Sequence, residues 1–276
     1  MRLPASAPGR LPAHPKKSLG QHFLTDPNVL RRIVAAARLS KTDTVLEIGP
    51  GRGDLTRHLA QAAGRVFAVE LDRRLIPSLQ SDLGELPNVH LVRGDALTFP
   101  FHRLPPGTAA VANLPYNVAT PILMRLVEER ARFSRLVLMF QKEVADRIAA
   151  SPGTKSYGSL TLAVRYAMDA EILFKIAPGA FSPPPKVDSA VVQLIPLRSP
   201  RVAARNESFL FAVIRAAFGQ RRKTLRNALR SIAGAEALSA AENACRIDLA
   251  RRGETLSLEE FARLTDFLFE RTGRKG

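Results

Sequence analysis

Short apolar runs that alternate with helical patterns are the feature that most constrains the fold of this chain. Five such runs read as buried strands, namely TVLEIG, RVFAVEL, NVHLVRGDA, TAAVANLPY and RLVLMFQ. Helical patterns at residues 55–63 and 121–129 lie between strands of this series. Strands that alternate with helices form parallel sheets covered on both faces, so we expect an α/β fold with ligands bound at the carboxyl ends of the strands.

The alternation changes in the second half of the chain. Two strands, AEILFKIA and VDSAVVQLIPL, are joined by the proline-rich PGAFSPPPK without a helix pattern, which predicts an antiparallel end to the sheet. Beyond Pro200 the pattern is purely helical, and Ser257 with Glu260 has the spacing of a capping box. We expect a basic disordered arm at residues 1–17, an α/β domain at 18–198 and a small all-α domain at 199–276.

The charge balance indicates a polyanionic partner. The chain carries 41 Lys and Arg against 25 Asp and Glu, a formal charge of +16 that attracts nucleic acid. An anionic membrane surface and a merely basic protein stay open as alternatives. The uncharged run at residues 104–124 is long enough to span a bilayer, but it contains prolines that a membrane-spanning helix would not tolerate.

Cysteine and histidine usage argues against disulfide and zinc chemistry. The single cysteine, Cys245, cannot form an internal disulfide, and no Cys/His cluster among the five histidines has metal-ligand spacing. We therefore expect a reducing cytosol and no bound metal. Cys245 fits a buried helical thiol better than a nucleophile.

A glycine turn narrows the class of ligand. Gly49, Gly51 and Gly53 follow the strand in TVLEIG at alternate positions, where glycine lets the backbone turn sharply and approach a ligand. The dinucleotide fingerprint requires glycine where this chain has Asp54, and no Gly-Lys-Ser/Thr follows for a phosphate loop. A structural turn would explain the glycines as well, but a pyrophosphate cradle is not encoded.

Two strand-end acids sharpen the interpretation. Glu70 ends the second strand and Asp95 follows the third, so both are expected at the ligand edge of the sheet. Glu70 could bind the hydroxyls of a ribose, and Asp95 with Ala96 could bind the amine of an adenine. Taken alone, either acid is more often a solvated loop residue. Ribose and adenine contacts without a phosphate cradle fit S-adenosylmethionine. The predicted sheet resembles the class I, Rossmann-like methyltransferase fold, which implies seven strands with an antiparallel final hairpin.

The segment NLPY, residues 113–116, follows the fourth strand and looks like the Asn/Asp-Pro-Pro-Tyr/Phe motif of enzymes that methylate exocyclic amines. A turn at a strand end is the simplest alternative. If the Asn113 side-chain oxygen and the Leu114 carbonyl accept the hydrogens of an adenine N6, they make that nitrogen more nucleophilic. Pro115 rigidifies the turn without adding an amide donor, and Tyr116 offers a ring on which the target base can stack.

Four blocks together resemble the ribosomal RNA adenine dimethyltransferases: SLGQHFL, EIGPGRGDLT, NLPY and AFSPPPKVDSAVV. The likeness covers nearly the full chain and is best to the bacterial small-subunit enzymes associated with kasugamycin sensitivity. It implies cofactor contacts, with the glycine turn included, at Gln21, His22, Leu24, Gly49, Gly51, Glu70, Leu71, Asp95, Ala96 and Asn113. It also implies that Phe181 faces Tyr116 across the target base. Many members have Asn where this chain has His22, so a pH dependence becomes conceivable here.

The resemblance implies transfer of methyl groups from S-adenosylmethionine to N6 of two adjacent adenosines in the 3′-terminal hairpin of small-subunit ribosomal RNA. Positioning rather than a His or Glu base is expected to carry the rate. The expected partner is the immature 30S particle, and the expected state is a monomer in the cytoplasm. Two alternatives stay open, the large-subunit enzyme that confers macrolide resistance and a non-catalytic RNA-binding or transcription factor of the same fold.

A basic segment, GQRRKTLRNALR, supplies the expected RNA contacts. They are Arg221, Arg222, Lys223, Arg226 and Arg230. The spacing of Arg222, Arg226 and Arg230 predicts that they line one helix face, which suits a phosphate backbone but also an ordinary solvated helix.

Overall fold

The computed structural model describes residues 21–220 and 222–272. They fall into two compact units, one made of residues up to Lys142 with Leu173–Leu194, the other of Glu143–Ile172 with residues from Ile195 onward. The domain limits expected at residues 18–198 and 199–276 stay a prediction, and the basic arm at 1–17 lies outside the described residues.

The first unit contains most of a seven-stranded sheet, together with a separate two-stranded sheet. The strands are β1 (Phe23–Leu24), β2 (Thr44–Ile48), β3 (Arg65–Glu70), β4 (Val89–Arg93), β5 (Thr108–Asn113), β6 (Phe133–Gln141), β7 (Met168–Ile176), β8 (Phe181–Ser182) and β9 (Ser189–Pro196). The large sheet has the order β4-β3-β2-β5-β6-β9-β7, and β1 pairs with β8.

Strand directions confirm the predicted α/β class. The pairs β2–β3, β3–β4, β2–β5 and β5–β6 are parallel, whereas β6 and β9 are antiparallel. Because the central strands are buried on both faces, their sequences are almost continuously apolar. Val45, Val66, Ala109 and Val137 on β2, β3, β5 and β6 are fully buried in one hydrophobic cluster.

Helices connect the strands and form most of the second unit. They are α1 (Pro27–Ala37), α2 (Asp54–Ala62), α3 (Ile76–Leu83), α4 (Ala119–Glu128), α5 (Lys142–Ile148), α6 (Ser159–Ala167), α7 (Glu207–Gly219), α8 (Leu225–Ala228), α9 (Ala235–Cys245) and α10 (Leu258–Thr272). Helix α1 begins at Asp26, whose side chain accepts hydrogen bonds from the amides of Asn28 and Val29. Within the described ranges, no helix combines the length and apolar character that crossing a membrane requires.

The second unit confirms the predicted capping box at the start of α10. The Ser257 hydroxyl accepts from the amide of Glu260, and the Glu260 carboxylate accepts from the amide of Ser257. The buried Tyr157 hydroxyl donates to the carbonyl of Leu256, 2.8 Å away, and so fixes the chain that enters this helix. Cys245 is buried at the end of α9, and burial raises the pKa of its thiol, which suits a packing residue.

The single helix expected for the basic segment is wrong. Helix α8 has four residues and is followed by a 3₁₀ turn at Leu229–Ser231, so Arg222 lies outside any helix. The amides of Leu225 and Arg226 donate instead to the carbonyls of Arg251 and Leu249, at 2.8 and 3.0 Å. These bonds satisfy the first amides of α8 without a preceding helical turn, and a longer helix would have to break them.

Candidate active site

A cavity lies at the carboxyl ends of β2, β3 and β5, where the sequence predicts ligand binding. Its walls come from the segment around β1, the glycine turn, the end of β3 and the NLPY segment. The predicted site residues that line it are Gln21, His22, Leu24, Gly49, Gly51, Glu70, Leu71, Asn113, Leu114, Pro115 and Tyr116. Residues as far apart in the chain as Gln21 and Tyr116, 95 positions, thus surround one space.

The glycine turn is shaped by left-handed backbone conformations. Gly49, Gly51 and Gly53 have φ values of +71°, +61° and +79°, which residues with a Cβ rarely adopt. At Gly51 the conflict is also spatial, because a Cβ would lie 2.9 Å from Cδ1 of Phe23. Glycine is therefore required at Gly51 both for the turn and for the packing of Phe23 on the cavity wall.

Glu70 holds the glycine turn against the end of β3. Its carboxylate accepts a hydrogen bond from the amide of Gly51 at 3.2 Å and one from the amide of Asp72 at 2.7 Å. Burial raises the pKa of Glu70, and these amide bonds act in the opposite direction. Leu71 beside it is 52% exposed, so an apolar surface flanks the buried acid.

Asn113 joins the end of β5 to the segment that precedes β1. Its side-chain nitrogen donates to the main-chain carbonyl oxygen of His22 at 3.0 Å. The neighbouring Gln21 donates to Asp72 at 3.1 Å, and the hydrogen bond from Arg74 lowers the pKa of Asp72 to about 2. A network of side chains therefore ties this segment to the ends of both β3 and β5.

Tyr116 lies against two partners. Its hydroxyl is 2.5 Å from the hydroxyl of Ser189, and its ring stacks on the imidazole of His22 with centroids 5.4 Å apart. Burial raises the pKa of the Tyr116 phenol, so it stays protonated at neutral pH. The His22 ring nitrogen Nδ1 is 2.9 Å from the carbonyl oxygen of Pro183.

Three predicted site residues do not line the cavity. Phe181 is buried in the hydrophobic cluster with Leu24, its partner in the β1–β8 pairing, and His22 rather than Phe181 stacks on Tyr116. The Asp95 side chain accepts from the amide of Leu97 at 2.8 Å, and the Ala96 carbonyl accepts from Arg125 at 3.2 Å. The roles assigned to Phe181, Asp95 and Ala96 stay predictions.

Sequence reasoning missed a buried acid in the cavity wall. Glu47 on β2 is 1% exposed, and its Oε2 atom has no hydrogen-bond partner among the described residues. Burial raises its pKa to about 8, so the carboxyl is largely protonated at neutral pH. The sequence does contain one signal for this residue, because Glu47 is the single acid in the strand TVLEI.

Arg52 was missed as well. It lines the cavity with its guanidinium 4.5 Å from the ring centroid of Phe23, a cation–π contact. Its buried Nε has no hydrogen-bond partner within the described part of the chain. Nothing in its local sequence distinguishes it from a solvated turn residue.

The predicted RNA contacts lie in the second unit, except that Arg221 is outside the described residues. Arg222, Lys223 and Arg230 are exposed. Arg226 is half-buried, and its guanidinium forms an ion pair with Glu242 and donates to the hydroxyl of Ser239. The four described cations therefore differ in how available they are to an external anion.

Comparisons with known proteins agree on one family. The family model for ribosomal RNA adenine dimethylase matches residues 13–270. The chain is 48% identical over 258 residues to the "Ribosomal RNA small subunit methyltransferase A" of Clostridium botulinum (strain Loch Maree / Type A3), covering 92% of this chain and 94% of that protein. It is also 48% identical over 257 residues to the protein of the same name from Clostridium acetobutylicum, covering 92% and 93%.

Solved structures show the same likeness. A dimethyladenosine transferase from Plasmodium falciparum has a TM-score of 0.76 at 29% identity, covering 91% of this chain and 98% of that one. The 23S rRNA methyltransferase ErmE has a TM-score of 0.70 at 28% identity, covering 89% and 99%. The fold is therefore the class I methyltransferase fold, whose methyl donor is S-adenosylmethionine. On the extent of the family match and the identity to its members, the chain belongs to the ribosomal RNA adenine dimethylase family.

Proposed function

We propose that this protein transfers methyl groups from S-adenosylmethionine to N6 of two adjacent adenosines in the 3′-terminal hairpin loop of small-subunit ribosomal RNA. The product is N6,N6-dimethyladenosine, and the reaction belongs to the maturation of the 30S subunit in the cytoplasm. The name carried by the relatives at 46–48% identity supports this substrate. The observation that carries the chemistry is that Glu70 at the end of β3 and Asn113 at the end of β5 line the same cavity, so the proposed donor and acceptor residues share one space.

The residues of the glycine turn and β3 fit the methyl donor. A Cβ at Gly51 would lie 2.9 Å from Phe23 in the cavity wall, so only glycine leaves that wall in place. Glu70 accepts from the amides of Gly51 and Asp72, with a further contribution from the amide of Leu71, while a carboxylate has about four acceptor positions. Acceptor capacity is thus left for a ribose hydroxyl. When bound, S-adenosylmethionine supplies an electrophilic methyl group on a positively charged sulfur. Gln21, His22, Leu24, Gly49 and Leu71 would complete the contacts, with Asp95 and Ala96 proposed at the adenine.

The acceptor side is organised by the amide orientation of Asn113. Because Nδ2 donates to the carbonyl of His22, Oδ1 is the atom left to accept a hydrogen from an adenine N6. The Leu114 carbonyl would accept the second hydrogen, which draws the N6 lone pair out of the ring. Pro115 brings no amide to compete, and Tyr116 would stack on the base. This arrangement raises nucleophilicity by hydrogen bonding and placement alone.

A low charge in the cavity also favours the attack of the adenine N6 on the methyl donor. Burial raises the pKa of Glu47 to about 8, so this acid is largely uncharged at neutral pH. A neutral adenine that approaches a cationic sulfur needs no strong base, because the proton leaves only after N6 has gained its methyl group. Water or Asn113 Oδ1 can accept that proton, so His22 and Glu70 are not assigned as bases.

RNA would be held by the helical domain proposed at residues 199–276. Exposed cations at Arg222, Lys223 and Arg230 are available to phosphates, together with Arg221. The formal charge of +16 strengthens attraction to an immature 30S particle, which we propose as the partner of a monomeric enzyme without metal.

One alternative substrate has a specific observation behind it. ErmE, with a TM-score of 0.70, is a 23S rRNA methyltransferase, so the same fold also serves large-subunit RNA. The higher identity to proteins named for the small subunit favours that substrate. A non-catalytic factor is disfavoured because Asn113 and Glu70 are both present at the cavity.

Labelled-methyl transfer tests the proposal. Wild type, Glu70→Ala and the exposed control Glu85→Ala would be incubated with S-adenosylmethionine and immature 30S particles or 23S RNA, followed by mass mapping of the adenosines. We expect dimethylation of two adjacent adenosines in small-subunit RNA by wild type and Glu85→Ala, and none by Glu70→Ala. Transfer to 23S RNA alone would support the alternative enzyme, and no transfer by wild type would refute the enzymatic proposal.

A further inference from the structure

The segment from Phe181 to Ser189, which we call the brace, contacts both aromatic rings at the acceptor side of the cavity. Ser189 lies 2.5 Å from the Tyr116 hydroxyl, and the carbonyl of Pro183 lies 2.9 Å from Nδ1 of His22. Since a carbonyl oxygen can only accept, Nδ1 of His22 carries the hydrogen in this bond. The brace therefore sets the positions of two rings that stack on each other.

Ser189 is well suited to hold Tyr116 still. It is the first residue of β9, it is fully buried, and it pairs with Gln141 of β6 in the central sheet. Tyr116, in contrast, is half-buried and stands on the turn after β5. A phenol ring on such a turn can swing about its two side-chain torsions unless its far end is fixed. The hydroxyl of Ser189 supplies that fixed point from a rigid strand.

We propose that Ser189 is a positioning residue for methyl transfer, because it fixes the plane of the Tyr116 ring on which the target adenine stacks. This inference rests on the proposed function and adds to it a residue that touches neither substrate. A base held at the wrong angle moves N6 away from the donor, and small errors in placement lower turnover strongly. Binding of the particle, which depends on many phosphate contacts elsewhere, should change little.

The hydrogen bond between Tyr116 and Ser189 can be removed by changing either residue while an aromatic ring stays at position 116. Ser189→Ala deletes one hydroxyl, and Tyr116→Phe deletes the other while keeping the stacking surface. The double variant completes a double-mutant cycle. Ser78→Ala is the matched control. The Ser78 hydroxyl on α3 also makes one hydrogen bond, to the carbonyl of Leu75 just before that helix, and Ser78 does not line the cavity. Each variant would be assayed for kcat and for KM toward immature 30S particles, with thermal unfolding recorded alongside.

We expect kcat to fall about tenfold in each single variant, the effect of losing one hydrogen bond of about 1.4 kcal/mol. The KM for particles should stay within about twofold, and the double variant should lose no more than either single one. Ser78→Ala should match wild type. If Ser189→Ala does not fold, Tyr116→Phe alone still has to show the loss of kcat.

Other results would overturn the inference. Wild-type kcat in Tyr116→Phe, losses that multiply in the double variant, or a rise in KM without a fall in kcat would each exclude a positioning role for Ser189. These outcomes are distinct from failure of the proposed function, in which wild type itself would transfer no methyl group to the particle.

Discussion

The side-chain amide of Asn113 donates a hydrogen bond to the main-chain carbonyl of His22, across 91 positions of the sequence. This bond fixes which end of the amide faces the cavity, since the nitrogen donates to His22 and the oxygen accepts no hydrogen bond from the part of the chain that the structure describes. From the sequence alone, Asn113 could equally be a turn residue at the end of a strand. The bond to His22 makes its side-chain oxygen an oriented hydrogen-bond acceptor. Under the proposed function, the segment before β1 would belong to the acceptor site as well as to the donor site.

Asn113→Ala should separate chemistry from binding. The variant removes both the acceptor for N6 and the tie to His22, so we expect kcat to fall by about 100-fold, as misplacement by an ångström can cause. Affinity for immature 30S particles should stay within about threefold, because phosphate contacts dominate it. Single-turnover methyl transfer and filter binding provide the measurements, with the exposed Asn28→Ala as control. Equal losses in turnover and in particle binding would contradict the role given to Asn113.

A pair of glycine substitutions tests why the turn needs Gly51. Gly51→Ala forces a left-handed residue and also places a Cβ 2.9 Å from Phe23, whereas Gly107 has a φ of +80° with nothing within 4 Å of an added Cβ. Both variants should lose about 1 kcal/mol of stability from the backbone. Only Gly51→Ala should lower the affinity for S-adenosylhomocysteine, by about tenfold or more, because Phe23 must move.

Titration calorimetry and urea unfolding measure the two effects. Equal affinity for S-adenosylhomocysteine in Gly51→Ala and Gly107→Ala would show that the contact with Phe23 is unimportant to the donor site.

Glu47 should make folding stability depend on pH. The unfolded chain ionises this carboxyl near 4.5, and burial moves its pKa in the folded chain to about 8. Between these values the folded state holds the extra proton, so the contribution of Glu47 to stability is present at low pH and is lost as the pH rises toward 8. Glu47→Gln has no carboxyl to ionise. The free energy of unfolding of Glu47→Gln, measured relative to that of wild type, should therefore rise between about pH 5 and about pH 8 by on the order of a few kcal/mol.

Urea unfolding of both proteins at the two pH values is the measurement. Because every other titrating group is shared, the difference between the two proteins isolates Glu47. A difference that does not change with pH would mean that Glu47 ionises in the folded protein as it does in water.

Arg226 and Arg230 should differ although they lie four residues apart. Arg226 is paired with Glu242, so Arg226→Ala should lower the stability of the helical unit by about 1 kcal/mol or less. Arg230 is exposed, and Arg230→Ala should reduce the slope of log K against log salt by about one while leaving stability unchanged.

Binding to immature 30S particles at several salt concentrations, with thermal unfolding, distinguishes the two residues. Arg103→Ala, at an exposed position of the first unit, controls for the loss of one positive charge. A salt slope reduced equally by Arg226→Ala and Arg230→Ala would mean that the pair with Glu242 opens when RNA binds.

The sequence predicts the sheet well because buried strands have a direct signature. A strand covered on both faces must be apolar throughout, and its end is marked by the first polar residue, which is how Glu70 and Asn113 could be placed at the edge of the sheet. The glycine turn is equally readable, since left-handed φ values demand glycine. The proline-rich connection without a helix predicts an antiparallel end to the sheet, where β9 runs antiparallel to β6.

Tertiary partners are what sequence patterns cannot supply. The acid that pairs with Arg226 stands 16 residues away on another helix, so the basic run alone suggests a free face. Phe181 reads as a site aromatic, yet its place in the β1–β8 pairing directs it into the core. Glu47 is a single acid in an apolar strand, and its burial depends on neighbours from α2 and the cavity. In each case the deciding contact comes from another element of the fold.

The pairing of β1 with β8 has a consequence for how the protein is made. His22 contacts Pro183, 161 positions later, so a growing chain has already exposed its glycine turn and NLPY segment before that contact can form. Contacts of such long sequence separation form late, after most of the sheet has been synthesised. A prematurely terminated product that ends before Pro183 would carry the residues that line the cavity but lack the contacts of His22 and Tyr116 with Pro183 and Ser189. The stacked pair of His22 and Tyr116 can therefore gain both of these hydrogen-bond partners only after synthesis has passed Ser189.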